Sequence, residues 1–170
     1  AFALTINNDS SRWTSAYLNP FDAIAVLNAT SLHGGFKGEN RKAFLDFVYD
    51  GGGLFGCHAA TDGGKRWWPE YSELWGGAFG GHPWGKTGTW RIQNYDPRHA
   101  LNQCFHGTGF DINDELYRQI HPYRKGCFRT LTCIDLSARQ NTHNNNGKIK
   151  TTPPEAERKP GEPKPANVPL

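Results

Sequence analysis

No stretch of this 170-residue chain is apolar over the length a bilayer crossing requires, so none of its segments reads as a transmembrane helix. No C-x-x-C pair occurs among Cys57, Cys104, Cys127 and Cys133, which argues against a thiolate zinc site or a thioredoxin-type redox centre. One-sided charge is also lacking. Lys and Arg number 19 against 16 Asp and Glu, a formal net charge of +3, and part of that excess sits near the C-terminus. The electrostatic footprint of a nucleic-acid partner is therefore not evident. Methionine is absent, and no signal peptide is visible. The chain begins at Ala1, which also fits a leader already removed, and the compartment stays open between cytoplasmic and periplasmic or extracellular.

What the chain does have is glycine, proline and aromatic rings: 20 Gly, 11 Pro, 6 Trp, 6 Tyr and 10 Phe. Many sharp turns follow, rather than long helices. Residues 2–6 read as a short strand. The near-continuous apolar run at 22–30 suits a strand buried on both faces of a parallel sheet. Residues 39–49 read as an amphipathic helix with Ala43, Phe44, Phe47 and Val48 on one face, ended by a glycine cap. Residues 54–57 give a second buried strand. Strand, helix, strand is a βαβ unit, so a parallel sheet is expected. Residues 59–87, rich in glycine and tryptophan, read as a large functional loop with a short helix near 70–74. Strands follow at 87–95, 111–119 and 128–135. From residue 138 apolar residues nearly vanish and six of the eleven prolines lie beyond Thr152. That composition predicts a domain over 1–137 and an extended or disordered tail over 138–170, solvated or lying on a partner.

Cys57 and Cys133 lie in apolar runs and are expected as buried thiols, whereas Cys104 and Cys127 are the pair to bridge in an oxidising compartment.

The turn after 54–57 is the most informative feature. A sharp turn after a central strand lifts one side chain above the carboxyl edge of a sheet, and small neighbours prevent clashes. In Gly56-Cys57-His58-Ala59-Ala60 the raised position is His58, with Cys57 facing packing. An imidazole there suits a general base or a metal ligand.

The stretches YDGGGLFGCHAATD, WPEYSELWGGAFGGHPW, DPRHA and NDELY together resemble the ThuA-like (trehalose utilisation) family, over roughly residues 22–135. The resemblance implies a three-layer α/β, flavodoxin-like fold of the class I glutamine-amidotransferase type, with a mainly parallel sheet. It implies a role in binding or transforming a sugar or keto-sugar, trehalose, other disaccharides and their oxidised forms included. Matched to those motifs, His58, Asp62, His82, Asp114 and Glu115 are the site positions. Relatives of the fold that hydrolyse glutamine carry a cysteine at the elbow; His58 stands there instead, so glutaminase activity is not expected. The family's usual opening strand with a His-containing loop and its closing strand and helix are not seen, so the chain reads as shortened at both ends.

Each residue has a bland reading beside the functional one. His58 is base or ligand, or a histidine bonded in the core. His82 is a site histidine between glycines, or a loop histidine bonding a carbonyl. Asp62 orients the His58 ring, or caps the next turn. Adjacent carboxylates on a strand face opposite sides, so Glu115 is the acid/base partner and Asp114 the turn anchor or a substrate contact. Trp67, Trp68, Tyr71 and Trp84 form a stacking platform for a pyranose, joined by Tyr117, or pack the loop onto the sheet. His58, His82 and Glu115 can also be combined as a His₂-carboxylate site for a divalent metal. His99 and His106 read as bystanders. From another class, the chain is a non-catalytic accessory subunit, using the fold as a scaffold in a larger assembly contacted by the tail.

Overall fold

The computed structural model describes residues 2–30, 36–62, 68–120, 128–144 and 147–148. The chain forms two compact units, the first running to Phe79 and most of the second running from Gly80. It is a mixed α/β protein with small sheets.

In the first unit, a short helix α1 (Ser15–Leu18) precedes strand β1 (Ala23–Leu27), helix α2 (Glu39–Tyr49) and strand β2 (Gly53–Cys57). β1 and β2 pair in parallel, from Ala23 opposite Gly53 to Leu27 opposite Cys57, as a βαβ unit demands. α2 ends in a Schellman arrangement: Gly52 N–H donates to the Phe47 carbonyl and Gly51 N–H to that of Val48. Gly51 takes φ +103°, and a Cβ on Gly52 would meet the Phe47 ring at 2.2 Å, so both glycines are required. The core beneath the sheet is aromatic. Trp13, Phe36, Phe44, Trp68 and Tyr71 pack ring against ring, with Trp13 edge-on to Phe36 at 5.0 Å and Trp68 stacked on Tyr71 at 4.9 Å. Arg41 lies over the Trp68 ring, 5.1 Å from its centroid. The loop after β2 is not irregular throughout. It begins with a 3₁₀ turn over His58–Asp62, and helix α3 (Pro69–Leu74) and the short strand β3 (Ala78–Phe79) follow.

Three sequence expectations fail in this unit. Residues 2–6 form no strand. Only one face of the β1–β2 pair is covered among the described residues: Ile24 and Val26 are buried, whereas Leu27 is 64% and Phe55 60% exposed. Cys57 shares the Phe55 face by strand alternation, and its sulfur is exposed, not packed.

The second unit holds an antiparallel sheet, in place of the parallel continuation expected. β4 (Thr89–Asn94) lies between β5 (Phe110–Asn113) and β7 (Thr132–Ile134), antiparallel to both. β4 alternates as its sequence suggests, with Trp90, Ile92 and Asn94 buried. The strand expected over 111–119 is broken, its end becoming the separate β6 (Gln119–Ile120). Residues 139–142, assigned by composition to the tail, form helix α4 (Arg139–Thr142) with Asn141 wholly buried. The Asn141 amide donates to the carbonyls of Arg91 and Asp135 and accepts from Arg91 N–H, which ties α4 to β4. A two-residue hairpin follows, β8 (His143–Asn144) against β9 (Gly147–Lys148). Residues 149–170, most of the expected tail, lie outside the described residues. Cys104 is a free, exposed thiol, against the bridge expected to Cys127, which also lies outside them.

Candidate functional site

The elbow is built by tight packing beneath it. A Cβ on Gly56 would meet the Trp75 ring at 2.5 Å and the Ala60 Cβ at 3.1 Å. Ala59 and Ala60 are fully buried, and the Tyr71 hydroxyl donates to the Ala60 carbonyl at 2.7 Å. Small side chains are drawn inward, and His58, at φ +52°, is turned outward and exposed. The ring is therefore not sealed in the core.

One of its partners is a residue the sequence reading passed over. Asn28 follows β1 as His58 follows β2, and its φ is +51°. Asn28 N–H donates to the Cys57 carbonyl, extending the parallel ladder by one step, and its Oδ1 lies 3.0 Å from His58 Nδ1. Asp62, expected to orient the ring, closes the 3₁₀ turn that His58 opens. The available signal was the Asn itself: it is the side chain besides glycine that best tolerates left-handed backbone at a strand end.

In the second unit the glycines around His82 each have a task. A Cβ on Gly80 would meet Ile120 at 2.3 Å and the Arg118 carbonyl at 2.9 Å, and Gly81 sits at φ +123°. They let 80–81 pair closely with Arg118: Gly80 N–H donates to the Arg118 carbonyl and Arg118 N–H to that of Gly81. His82 then opens a turn closed by Gly85, at φ +84°. The result places His82 Nε2 3.3 Å from Glu115 Oε1, with side-chain exposures of 27% and 19%. That is ion-pair distance once the ring is protonated. The Tyr117 ring stands edge-on to His82, with centroids 5.0 Å apart. Asp114 is exposed and serves the turn: its Oδ1 accepts from Glu115 N–H, its carbonyl from the Trp90 indole, and its own N–H donates to Gly88.

Three rings assigned to a sugar platform are core residues. Trp68 is 1%, Tyr71 0% and Trp84 3% exposed, and the Trp84 indole donates to the Asn141 carbonyl. Trp67 lies outside the described residues. Burial pushes the Tyr71 phenol up to about 12. Burial, with the Asp135 carboxylate second, likewise raises the Cys133 thiol and makes it a poor nucleophile. His99 caps the 3₁₀ turn Ala100–Phe105, its Nδ1 accepting from Leu101 N–H.

His82 and Glu115 thus come together within the second unit, while His58 belongs to the first. Among the described residues, no group of three or more His, Cys, Asp and Glu side chains is arranged to hold a metal ion. No described helix is long and apolar enough to cross a membrane.

The family model for ThuA, trehalose utilisation, matches residues 1–159. The chain belongs to the ThuA family. This family is named for a sugar-related role. A crystal structure of a ThuA-like protein from Bacteroides uniformis ATCC 8492 superimposes on it with a TM-score of 0.64 and 22% identity, over 78% of this chain and 54% of that one. The likeness supports the fold, and the ThuA chain spans about half the length of that protein. No curated protein matches it.

Proposed function

We propose that this ThuA chain binds, or performs acid/base chemistry on, a sugar or keto-sugar, within a flavodoxin-like arrangement of which β1–α2–β2 is the parallel part. The observation that carries the reading is the half-buried His82–Glu115 pair beside Tyr117. A carboxylate 3.3 Å from an imidazole puts side by side two side chains of the types that give or take a proton at a sugar hydroxyl or carbonyl. Tyr117 offers an aromatic ring and a hydroxyl, the groups that suit a pyranose. In the first unit, His58, exposed at the carboxyl end of β2, is an acid/base group of its own, in the position where α/β sheets bind ligands. Asp62 and Asp114 support the two turns. A divalent ion would find donors in His82 and Glu115, but no third such side chain joins them among the described residues, so no step is routed through a metal.

Titration with trehalose and with an oxidised disaccharide, followed by calorimetry, tests the reading. Loss of a charge-assisted hydrogen bond is worth about 1.5–3 kcal/mol, so Glu115→Gln and His58→Ala are each expected to weaken binding about 10- to 100-fold. Unchanged affinity in both variants overturns it.

A second reading, an accessory subunit, is favoured by one observation: the outer face of β1 and β2 presents Leu27 and Phe55 to solvent. Size-exclusion chromatography separates the two, since a stable monomer favours the sugar-active domain and self-association the scaffold.

A further inference from the structure

Among the described residues of the first unit, two non-glycine residues occupy left-handed backbone, and they are bonded to each other. Asn28 and His58 have φ of +51° and +52°, each directly after one strand of the parallel pair, with the preceding residues Leu27 and Cys57 in register. Such a conformation is unfavourable for a residue with a Cβ, less so for Asn than for most, and glycine would carry no such cost. Two bonds hold the arrangement: Asn28 N–H to the Cys57 carbonyl at 3.1 Å, and Asn28 Oδ1 to His58 Nδ1 at 3.0 Å. Strain kept in place at the ligand-binding edge of a parallel sheet points to a requirement for these particular side chains.

We propose that Asn28 is a positioning residue that fixes the tautomer and direction of the His58 imidazole. An amide oxygen only accepts, so the proton of the neutral ring sits on Nδ1 and the basic lone pair on Nε2. Asn28 suits this better than a carboxylate would, because it selects the tautomer without adding a negative charge that would favour the imidazolium. The left-handed backbone at both residues brings the amide and the ring side by side beyond the last paired residues. This inference rests on the reading of His58 as an acid/base group, but its direct readout does not involve a sugar.

The test is the tautomer of His58, read from long-range proton–nitrogen correlations of the imidazole in the intact chain above its titration range. The wild type is expected in the Nδ1–H form. Asn28→Gly removes the amide while retaining a residue at ease in left-handed backbone, and is expected to shift the ring toward the Nε2–H form. Asn28→Asp, whose carboxylate also accepts, is expected to restore Nδ1–H. An Nε2–H ring in the wild type overturns the proposal without any variant, since the amide would then present its NH₂ group. An Nδ1–H ring that persists in Asn28→Gly overturns it too. If the tautomer responds as expected while His58→Ala leaves trehalose affinity unchanged, Asn28 still positions the ring and the sugar reading of His58 alone falls.

Discussion

His58 shows how a single dihedral angle separates two kinds of importance. At φ +52° a Cβ is a liability, so alanine keeps the strain and loses the bond to Asn28, whereas glycine loses the bond and relieves the strain. We expect His58→Gly to be more stable than His58→Ala by about 1 kcal/mol in chemical denaturation, after allowing for glycine's greater freedom when unfolded. Equal stability, or alanine ahead, would mean that the backbone there is unstrained. The raised position of His58 was legible from the small residues around it, because Gly56, Ala59 and Ala60 have little other reason to cluster after an apolar strand. Asn28 was not legible. It is 30 residues away from His58 in sequence, and only the parallel register brings the two strand ends together. Asp114 and Glu115 were expected on opposite faces of a strand, but β5 ends at Asn113, so alternation does not apply to them.

Helices were read better than sheets. The bounds of α2 coincide with the expected 39–49, since amphipathic period, glycine cap and following strand all agree locally. Strand segments were located, but alternation says nothing about partner direction, and the expectation of a mainly parallel sheet came from the family's fold. The β5–β4–β7 sheet is antiparallel because its pairings are set by non-local contacts. The aromatic-rich loop misled for a different reason: tryptophan is as fit for a core as for a sugar platform, and composition cannot distinguish them. Tyr71 in α3 gives a direct check of its core role. Its phenol is raised from an ordinary value of 10.0 to about 12, so the folded form holds its proton while the unfolded chain releases it. The stabilisation is complete below about pH 10 and falls between 10 and 12, by roughly 2–3 kcal/mol. Tyr71→Phe should abolish that part of the alkaline decline, measured as the difference between the two proteins' denaturation curves from pH 9 to 12. At neutral pH it should cost about 1–3 kcal/mol, because the buried Ala60 carbonyl loses its donor. A flat difference across that pH range would place the phenol in water.

For the molecule as a whole, composition did not reveal the part that residues 139–142 play in the second unit. Polar residues after Ala138 suggested a solvated tail, yet Asn141 satisfies three backbone groups of its unit from a fully buried position. A polar side chain that replaces missing backbone pairing is invisible to hydropathy. Asn141→Ala would leave those groups without partners and is expected to cost on the order of 3 kcal/mol, seen as a lowered denaturation midpoint. Less than 0.5 kcal/mol would return the segment to the tail. Cys57, opened to solvent by the uncovered face of β2, has a practical consequence. Among the described residues each unit offers one accessible sulfur, Cys57 in the first and Cys104 in the second, while Cys133 is enclosed. With Cys127 replaced by serine, spin labels attached to that native pair make the protein its own molecular ruler, reporting by dipolar coupling whether the separation of its halves changes when a sugar arrives.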